Sequence, residues 1–167
     1  MNTFFIYAAK YAVILPVLVL GIYFLVQRWP AQLRMALFAV PAGILSYALG
    51  RLGSVLYYNP RPFVVGHFTP LIAHAANNGF PSDHTLLAAA FASVGMYWNK
   101  RLGVALWALT LFIAVARVYV GVHHPLDVIA SMAFALIGVS AWRAVMRIGF
   151  PEGMPEAPRD AATPTAS

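Results

Sequence analysis

No residue of this 167-residue chain is a cysteine, and only five are acidic. The first absence rules out disulfides, thiolate nucleophiles and zinc–thiolate sites together. The second says more. Glu152, Glu156 and Asp160 fall in a Pro/Ala-rich tail, so Asp83 and Asp127 are the only carboxylates inside the apolar body. Charged residues make up 10% of the chain against 61% hydrophobic, and the mean hydropathy is +0.73. That balance excludes a soluble globular domain and predicts a polytopic membrane protein with the lipid bilayer as its first partner. The net charge of +6 does not point to nucleic acid, because the basic residues are spread singly. An ionisable group kept near hydrocarbon is costly and by default marks a functional site. Both interior aspartates sit beside histidines, and all five histidines lie between His67 and His124. Charge scarcity therefore locates the site.

A spanning helix needs about 20 mostly apolar residues. The pattern predicts an all-α bundle of about five such helices, near 3–27, 33–57, 83–99, 102–120 and 125–147. The first has no A-x-A-like cleavage site after it, so it reads as a retained span rather than a signal peptide. Arg28-Trp29-Pro30 separates the first two spans, and Asn99-Lys100-Arg101 makes a tight turn between the third and fourth. The longest connection, 58–81, carries Asn59-Pro60-Arg61-Pro62, His67, His74 and Asn77-Asn78-Gly79. It reads as a loop with a short interfacial helix near 71–76. Residues 1–148 form one membrane domain in this reading, and 149–167 a disordered tail.

Lysine and arginine counts set the orientation. One face holds Arg28, Arg34, Lys100, Arg101, Arg143, Arg147 and Arg159, and the other only Arg61 and Arg117. The positive-inside rule makes the first face cytoplasmic, with the C-terminus, and the histidine-rich face extracytoplasmic. A cell (plasma or inner) membrane location follows. Lys10 and Arg51 lie within spans and are left out, Lys10 snorkelling to the outer surface.

Three distant segments now arrive at one face: Arg61-Pro62, Pro81-Ser82-Asp83-His84, and Arg117-x5-His123-x3-Asp127. Arginines present rigid forks that match phosphate oxygens and stay charged. Pro81-Ser82 before an apolar run marks a helix start, where free N–H groups favour an anion. A histidine paired with a carboxylate is a candidate nucleophile or base, and a second histidine a candidate acid. Two arginines, a helix N-terminus and two histidines together fit phosphoryl transfer through a phosphohistidine.

The order Arg-Pro, Pro-Ser-x-His, Arg-x5-His-x3-Asp resembles the three-part signature of type 2 phosphatidic acid phosphatases (PAP2), membrane relatives of vanadium haloperoxidases. The resemblance covers about residues 50–130. Asn-Pro-Arg-Pro-Phe at 59–63, Leu-Ile-Ala-His at 71–74, Phe-Pro-Ser-Asp-His-Thr at 80–85 and Ala-Arg-Val-Tyr-Val-Gly-Val-His at 116–123 are similar to the bacitracin-resistance type of undecaprenyl diphosphatase. The resemblance implies a haloperoxidase-like helical core with neither metal nor cofactor. His123 would attack the terminal phosphorus, Asp127 would orient it and His84 would protonate the leaving oxygen. Arg61, Ser82, Asp83 and Arg117 would form the phosphate-binding set. The implied reaction takes undecaprenyl diphosphate to undecaprenyl phosphate plus phosphate, as in carrier-lipid recycling for cell-wall synthesis. Phosphatidate, phosphatidylglycerophosphate or a lipid A phosphate would use the same residues.

Two positions depart from the family pattern. A lysine usually lies seven residues before the first-motif arginine, where this chain has Ser54. Arg51 lies one turn earlier, but helical side chains tilt toward the N-terminus, which would aim it away from the site. Ala116 stands where a serine often precedes the third-motif arginine.

Plainer readings compete. Asp127 and Ser82 could serve only as helix caps. The histidines and aspartates could suggest a metal, yet neighbouring histidines diverge and no His-x3-His pair exists. His67, His74 and His124 read as interfacial or substrate-gating, Tyr119 and Trp107 as packing or interface anchors, and Asn77-Asn78-Gly79 as turn chemistry. A catalytically silent lipid-binding protein is the alternative from another class, with Ser54 its first sign. Intact His84, His123 and Asp127 oppose it. A transporter fits poorly without repeats or broken helices.

Overall fold

The structure, a computed structural model, describes residues 2–149. In chain order the helices are α1 (Asn2–Tyr11), α2 (Ile14–Leu25), α3 (Trp29–Leu56), α4 (Pro62–Val65), α5 (Asp83–Trp98), α6 (Lys100–Tyr119) and α7 (Pro125–Gly149). Among the described residues the only β pairing is an isolated bridge between Pro60 and Asn78. The all-helical membrane architecture is the expected one, with differences in detail. Gly149 closes α7, and the rest of the tail read as disordered lies outside the described residues.

The first predicted span is two helices bent by 48°. Pro16 explains the break, since it has no N–H to return to Ala12. The free Ala12 carbonyl takes the Leu15 N–H instead, at 3.1 Å. α3 begins four residues before its predicted start because Trp29-Pro30 opens the helix rather than preceding it, with proline in the first turn. The short helix expected near 71–76 is absent. One turn forms instead at Pro62–Val65, where Pro62 follows Arg61 and the Arg61 carbonyl accepts from Val64 at 2.9 Å. Leu71 N–H is held by the Val120 carbonyl at 3.0 Å, which pins the loop in extended form to the end of α6.

Helices α3, α6 and α7 are each long and apolar enough to cross a membrane, and α1 with α2 makes a fourth if the bent pair counts as one span. The expected count of five therefore holds only loosely. α5 has 16 residues, about 24 Å at the α-helical rise. It can be short because it is the centre of the bundle, packed against α2, α3, α6 and α7. Its buried face is built of small residues, including Ala88, Ala89, Ala92, Ser93 and Gly95. Small side chains let helix backbones approach closely where lipid supplies no hydrophobic drive for association. Gly103 of α6 lies so close to α5 that any Cβ would meet the Met96 backbone, and Gly138 of α7 is as tight against Ser46 of α3. These contacts fix where the N-terminus of α5 and the C-terminal end of α6 stand, and those two ends carry the site.

Gly103→Leu is expected to destabilise the protein by about 1–3 kcal/mol through overpacking. Gly43→Ala, where a Cβ would meet nothing within 4 Å, should leave the melting temperature in detergent unchanged or raise it. Equal melting temperatures for Gly103→Leu and wild type would contradict this packing account.

Candidate active site

The three motif segments converge on one cavity of about 300 Å³. Arg61 and Asn77 enter from the loop, Asp83 and His84 from the first turn of α5, Arg117 from the last turn of α6, and His123 from the turn before α7. His84 lines the wall half-buried, while Arg61, Arg117 and His123 are buried.

His123 has distinct partners at its two ring nitrogens. Nδ1 lies 2.9 Å from the Gly79 carbonyl and 3.4 Å from Asp127 Oδ2. Both are acceptors, so Nδ1 carries the proton and donates it. Nε2 faces Arg117 Nη2 at 3.3 Å. A guanidinium can only donate, so Nε2 is the unprotonated nitrogen and its lone pair accepts from Arg117 at the cavity wall. Burial lowers the His123 pKa below the ordinary imidazole value. The hydrogen bond to Asp127 raises it in opposition, and the nearby arginines lower it further. The imidazole therefore stays neutral below the usual range, in the form a nucleophile requires.

Asp127 has no exposed surface. Its Oδ1 accepts from Asn59 Nδ2 at 2.7 Å and its Oδ2 from the His124 N–H at 2.8 Å. The second bond caps α7, so the carboxylate both closes the helix start and orients His123. Asn59 was read in the sequence only as part of a motif's wording. The carboxylate it binds is 68 residues away, and no local pattern reports such a pairing.

Arg117 is 3% exposed. Its Nη1 donates to the Ala9 carbonyl at 3.1 Å, anchoring the guanidinium on α1. Its Nε is buried with no partner. Nε is thus left for an acceptor, on the same edge of the fork as the Nη2 that donates to His123 Nε2. Arg61 is more fully engaged: Nε donates to Asn77 Oδ1 at 3.0 Å, Nη1 to the Val122 carbonyl at 2.8 Å and Nη2 to the Asn78 carbonyl at 3.4 Å. With five N–H donors per guanidinium, it both braces the loop and retains donors for the cavity. Burial lowers its pKa, and Asp127 and Asp83 oppose that shift.

Ser82 is placed differently. It is fully buried and does not line the cavity. It caps α5, its Oγ accepting from Thr85 N at 3.5 Å and Thr85 Oγ1 at 3.1 Å. Asp83 is exposed and lines the wall. The backbone N–H groups of Asp83 and His84 are the free donors of the α5 N-terminus.

Several residues read as peripheral lie at the cavity, and others do not. His74 lines the cavity, its ring centroid 6.3 Å from that of His123, and its Nδ1 is buried without a hydrogen-bond partner. Burial and the two arginines lower its pKa. Asn78 is more than turn chemistry. Its Oδ1 accepts from the Asn59 and Phe80 N–H groups, and its Nδ2 reaches the Ser54 carbonyl at 3.0 Å and the Tyr57 carbonyl at 3.1 Å. Ser54, at the usual lysine position, thereby helps hold the loop on α3. Arg51 lines the cavity, contrary to the expectation from side-chain tilt. His67 and His124 stay outside it, His124 Nε2 reaching the Pro60 carbonyl at 3.1 Å. Tyr119 packs tilted on Phe5 with ring centroids 4.2 Å apart and donates to Asn2 Oδ1, as a packing residue would. Among the described residues no group of three or more histidines, aspartates or glutamates is placed to hold a metal ion.

Against known proteins, a family model described as the PAP2 superfamily matches residues 31–151, which include all three motif segments. The undecaprenyl-diphosphatase BcrC of Bacillus subtilis (strain 168) is 31% identical over 137 residues, covering 82% of this chain and 70% of that protein. A lipid A 1-phosphatase of Rhizobium etli is 37% identical over 93 residues, covering 56% of this chain and 39% of that protein. The crystal structure of LpxE from Aquifex aeolicus superposes with a TM-score of 0.67 at 24% identity, covering 86% of this chain and 85% of that one. At that identity the likeness is one of fold.

The His123 environment makes a direct prediction. Its ring should titrate below 6.5 in ¹⁵N NMR of labelled protein, and Asp127→Asn should move that midpoint lower still, because it removes the contribution that raises it. A midpoint above 6.5 in wild type, or an upward move in the variant, would contradict the geometry.

Proposed function

The chain belongs to the PAP2 superfamily and is an integral-membrane phosphatase, and on that premise we propose that it hydrolyses undecaprenyl diphosphate to undecaprenyl phosphate and inorganic phosphate. The observation that carries the mechanism is the buried, unpartnered Nε of Arg117, on the same edge of the fork as the Nη2 that donates to His123 Nε2 at 3.3 Å. A tetrahedral anion accepting from that edge would bring its phosphorus within reach of the nucleophilic nitrogen.

In the first step the His123 Nε2 lone pair attacks the terminal phosphorus. The bond to the bridging oxygen breaks, and undecaprenyl phosphate departs with a proton from His84. The Nδ1 proton stays between the Gly79 carbonyl and Asp127, which stabilise the charge that forms on the ring. In the second step water attacks the phosphohistidine, His84 takes its proton, and inorganic phosphate leaves with His123 restored. Arg117, Arg61 and the N–H groups at the α5 start hold the equatorial oxygens throughout. Preorganised donors of this kind supply most of the stabilisation in phosphoryl transfer, where positioning and charge dominate. Ser82 acts here by fixing the start of α5. His74, with an unpartnered nitrogen in the cavity wall, adds a further donor or acceptor.

The positive-inside distribution supports an extracytoplasmic site and a cytoplasmic C-terminus. That orientation suits recycling of a carrier lipid released outside the cell during cell-wall synthesis. A second reading, a phosphatase for a lipid A phosphate, is favoured by the higher identity over the shorter match to the Rhizobium relative. It would use the same groups.

Purified protein in detergent should release phosphate from undecaprenyl diphosphate in the presence of EDTA, and vanadate should inhibit it. His123→Ala should abolish turnover. Asp127→Asn should lower it by up to about 10⁴-fold, as removal of an orienting carboxylate does elsewhere. Activity lost in chelator and restored by magnesium or zinc, or retained in His123→Ala, would overturn the proposal. Release from lipid A but not from undecaprenyl diphosphate would select the second reading.

A further inference from the structure

Beside the polar cavity lies an apolar groove of about 550 Å³, bounded by α2, α3 and α5 and walled by side chains such as Leu20, Ile44, Tyr47, Leu87 and Phe91. The two spaces adjoin, with Arg51, Asp83 and Leu86 in the walls of both. Arg51 is the only basic residue of the groove wall. It is exposed and, among the described residues, makes no hydrogen bond or ion pair.

We infer that Arg51 grips the phosphate that stays on the lipid when the terminal one is transferred, and so sets a preference for a diphosphate over a monophosphate. The hydrocarbon chain of that lipid lies in the groove. This inference rests on the proposed attack by His123. In-line displacement puts the leaving oxygen opposite Nε2, and the chain behind it needs an apolar path. The seam at Arg51, Asp83 and Leu86 is where the cavity and such an apolar path meet. A lipid diphosphate would place its second phosphate in that seam, beside the Asp83 carboxylate. Like charges there repel, and Arg51 is the cation available to offset both. A monophosphate lipid would put an uncharged ester at the same point and gain little from Arg51. The position also bears on Ser54. With no lysine one turn further along α3, the positive charge of this wall moves from the transferring phosphate to the leaving one.

The test is binding to protein already carrying His123→Ala, so it does not depend on turnover. Affinities for undecaprenyl diphosphate and undecaprenyl phosphate are measured in detergent with and without Arg51→Gln and with Arg51→Lys. Loss of one charge-assisted contact corresponds to about tenfold or more. Arg51→Gln should reduce the ratio of diphosphate to monophosphate affinity by at least that factor, and Arg51→Lys should restore part of it. Gly43→Leu, which adds bulk to the groove where a Cβ meets nothing within 4 Å, should weaken both lipids while leaving a diphosphate with a five-carbon chain unaffected. An unchanged ratio in Arg51→Gln, or equal weakening of both lipids, would overturn the role of Arg51. Undiminished binding of both long-chain lipids by Gly43→Leu would overturn the groove. Loss of turnover chemistry at His123 is judged separately by phosphate release from wild type.

Discussion

A carboxylate with no exposed surface, in a body almost free of acids, sets the terms for the rest of the molecule. Burying an ion costs several kcal/mol unless it is paired and its lone pairs are used. The Asp127 carboxylate meets that requirement from two segments, and its backbone reaches the third. Asn59 reaches it from the loop, His123 and His124 from the turn before α7, and its own backbone carbonyl accepts from Ser82 N at 3.4 Å and from Ser131 Oγ at 2.7 Å. Hydrogen bonds to charged groups contribute about 1.5–3 kcal/mol each. One residue therefore ties the site together: its carboxylate holds Asn59, His123 and the start of α7, and its backbone carbonyl holds Ser82, the residue before α5.

The same network leaves His123 in the neutral form that the proposed nucleophile requires. Burial and two arginines keep His123 neutral, while Asp127 limits how far the shift runs. Arg117 is braced by the Ala9 carbonyl of α1, so the bent first helix pair is tied to the chemistry and does more than span the bilayer. The close contacts of α5 with α6, at Gly95 and Gly103, fix the distance between the helix carrying His84 and the one carrying Arg117. Packing of small residues is how this bundle holds two charged elements in register without a large polar core.

Much of this was legible in the sequence, for reasons of scarcity. With so few ionisable groups in the apolar body, Arg61, His84, Arg117, His123 and Asp127 stood out singly, and the spacing of His123 and Asp127 already placed them one turn apart. What escaped was non-local or neutral. Asn59 and Asn78 carry no charge and sit in a Pro/Gly-rich loop whose fold depends on partners tens of residues away. His74 looked interfacial because the loop path that pins Leu71 to Val120 has no local signature. Backbone tilt alone points Arg51 away from the site, yet the cavity wall along α3 runs from Gly50 to Ser54 and takes it in. Pro16 marks the break at Ala12, but a run that is apolar apart from Lys10 hides it, and the span count is loose for a related reason: α5 can be short only because its neighbours surround it.

The central claim is that His123 Nε2 becomes covalently bonded to phosphorus. Brief incubation of wild type with undecaprenyl diphosphate labelled with ³²P in the terminal phosphate, followed by denaturation, tests this most directly. The account predicts an acid-labile, base-stable label that maps to His123 and is missing from His123→Ala. Full phosphate release from wild type with no trapped label under rapid quenching, or label retained in His123→Ala, would contradict it.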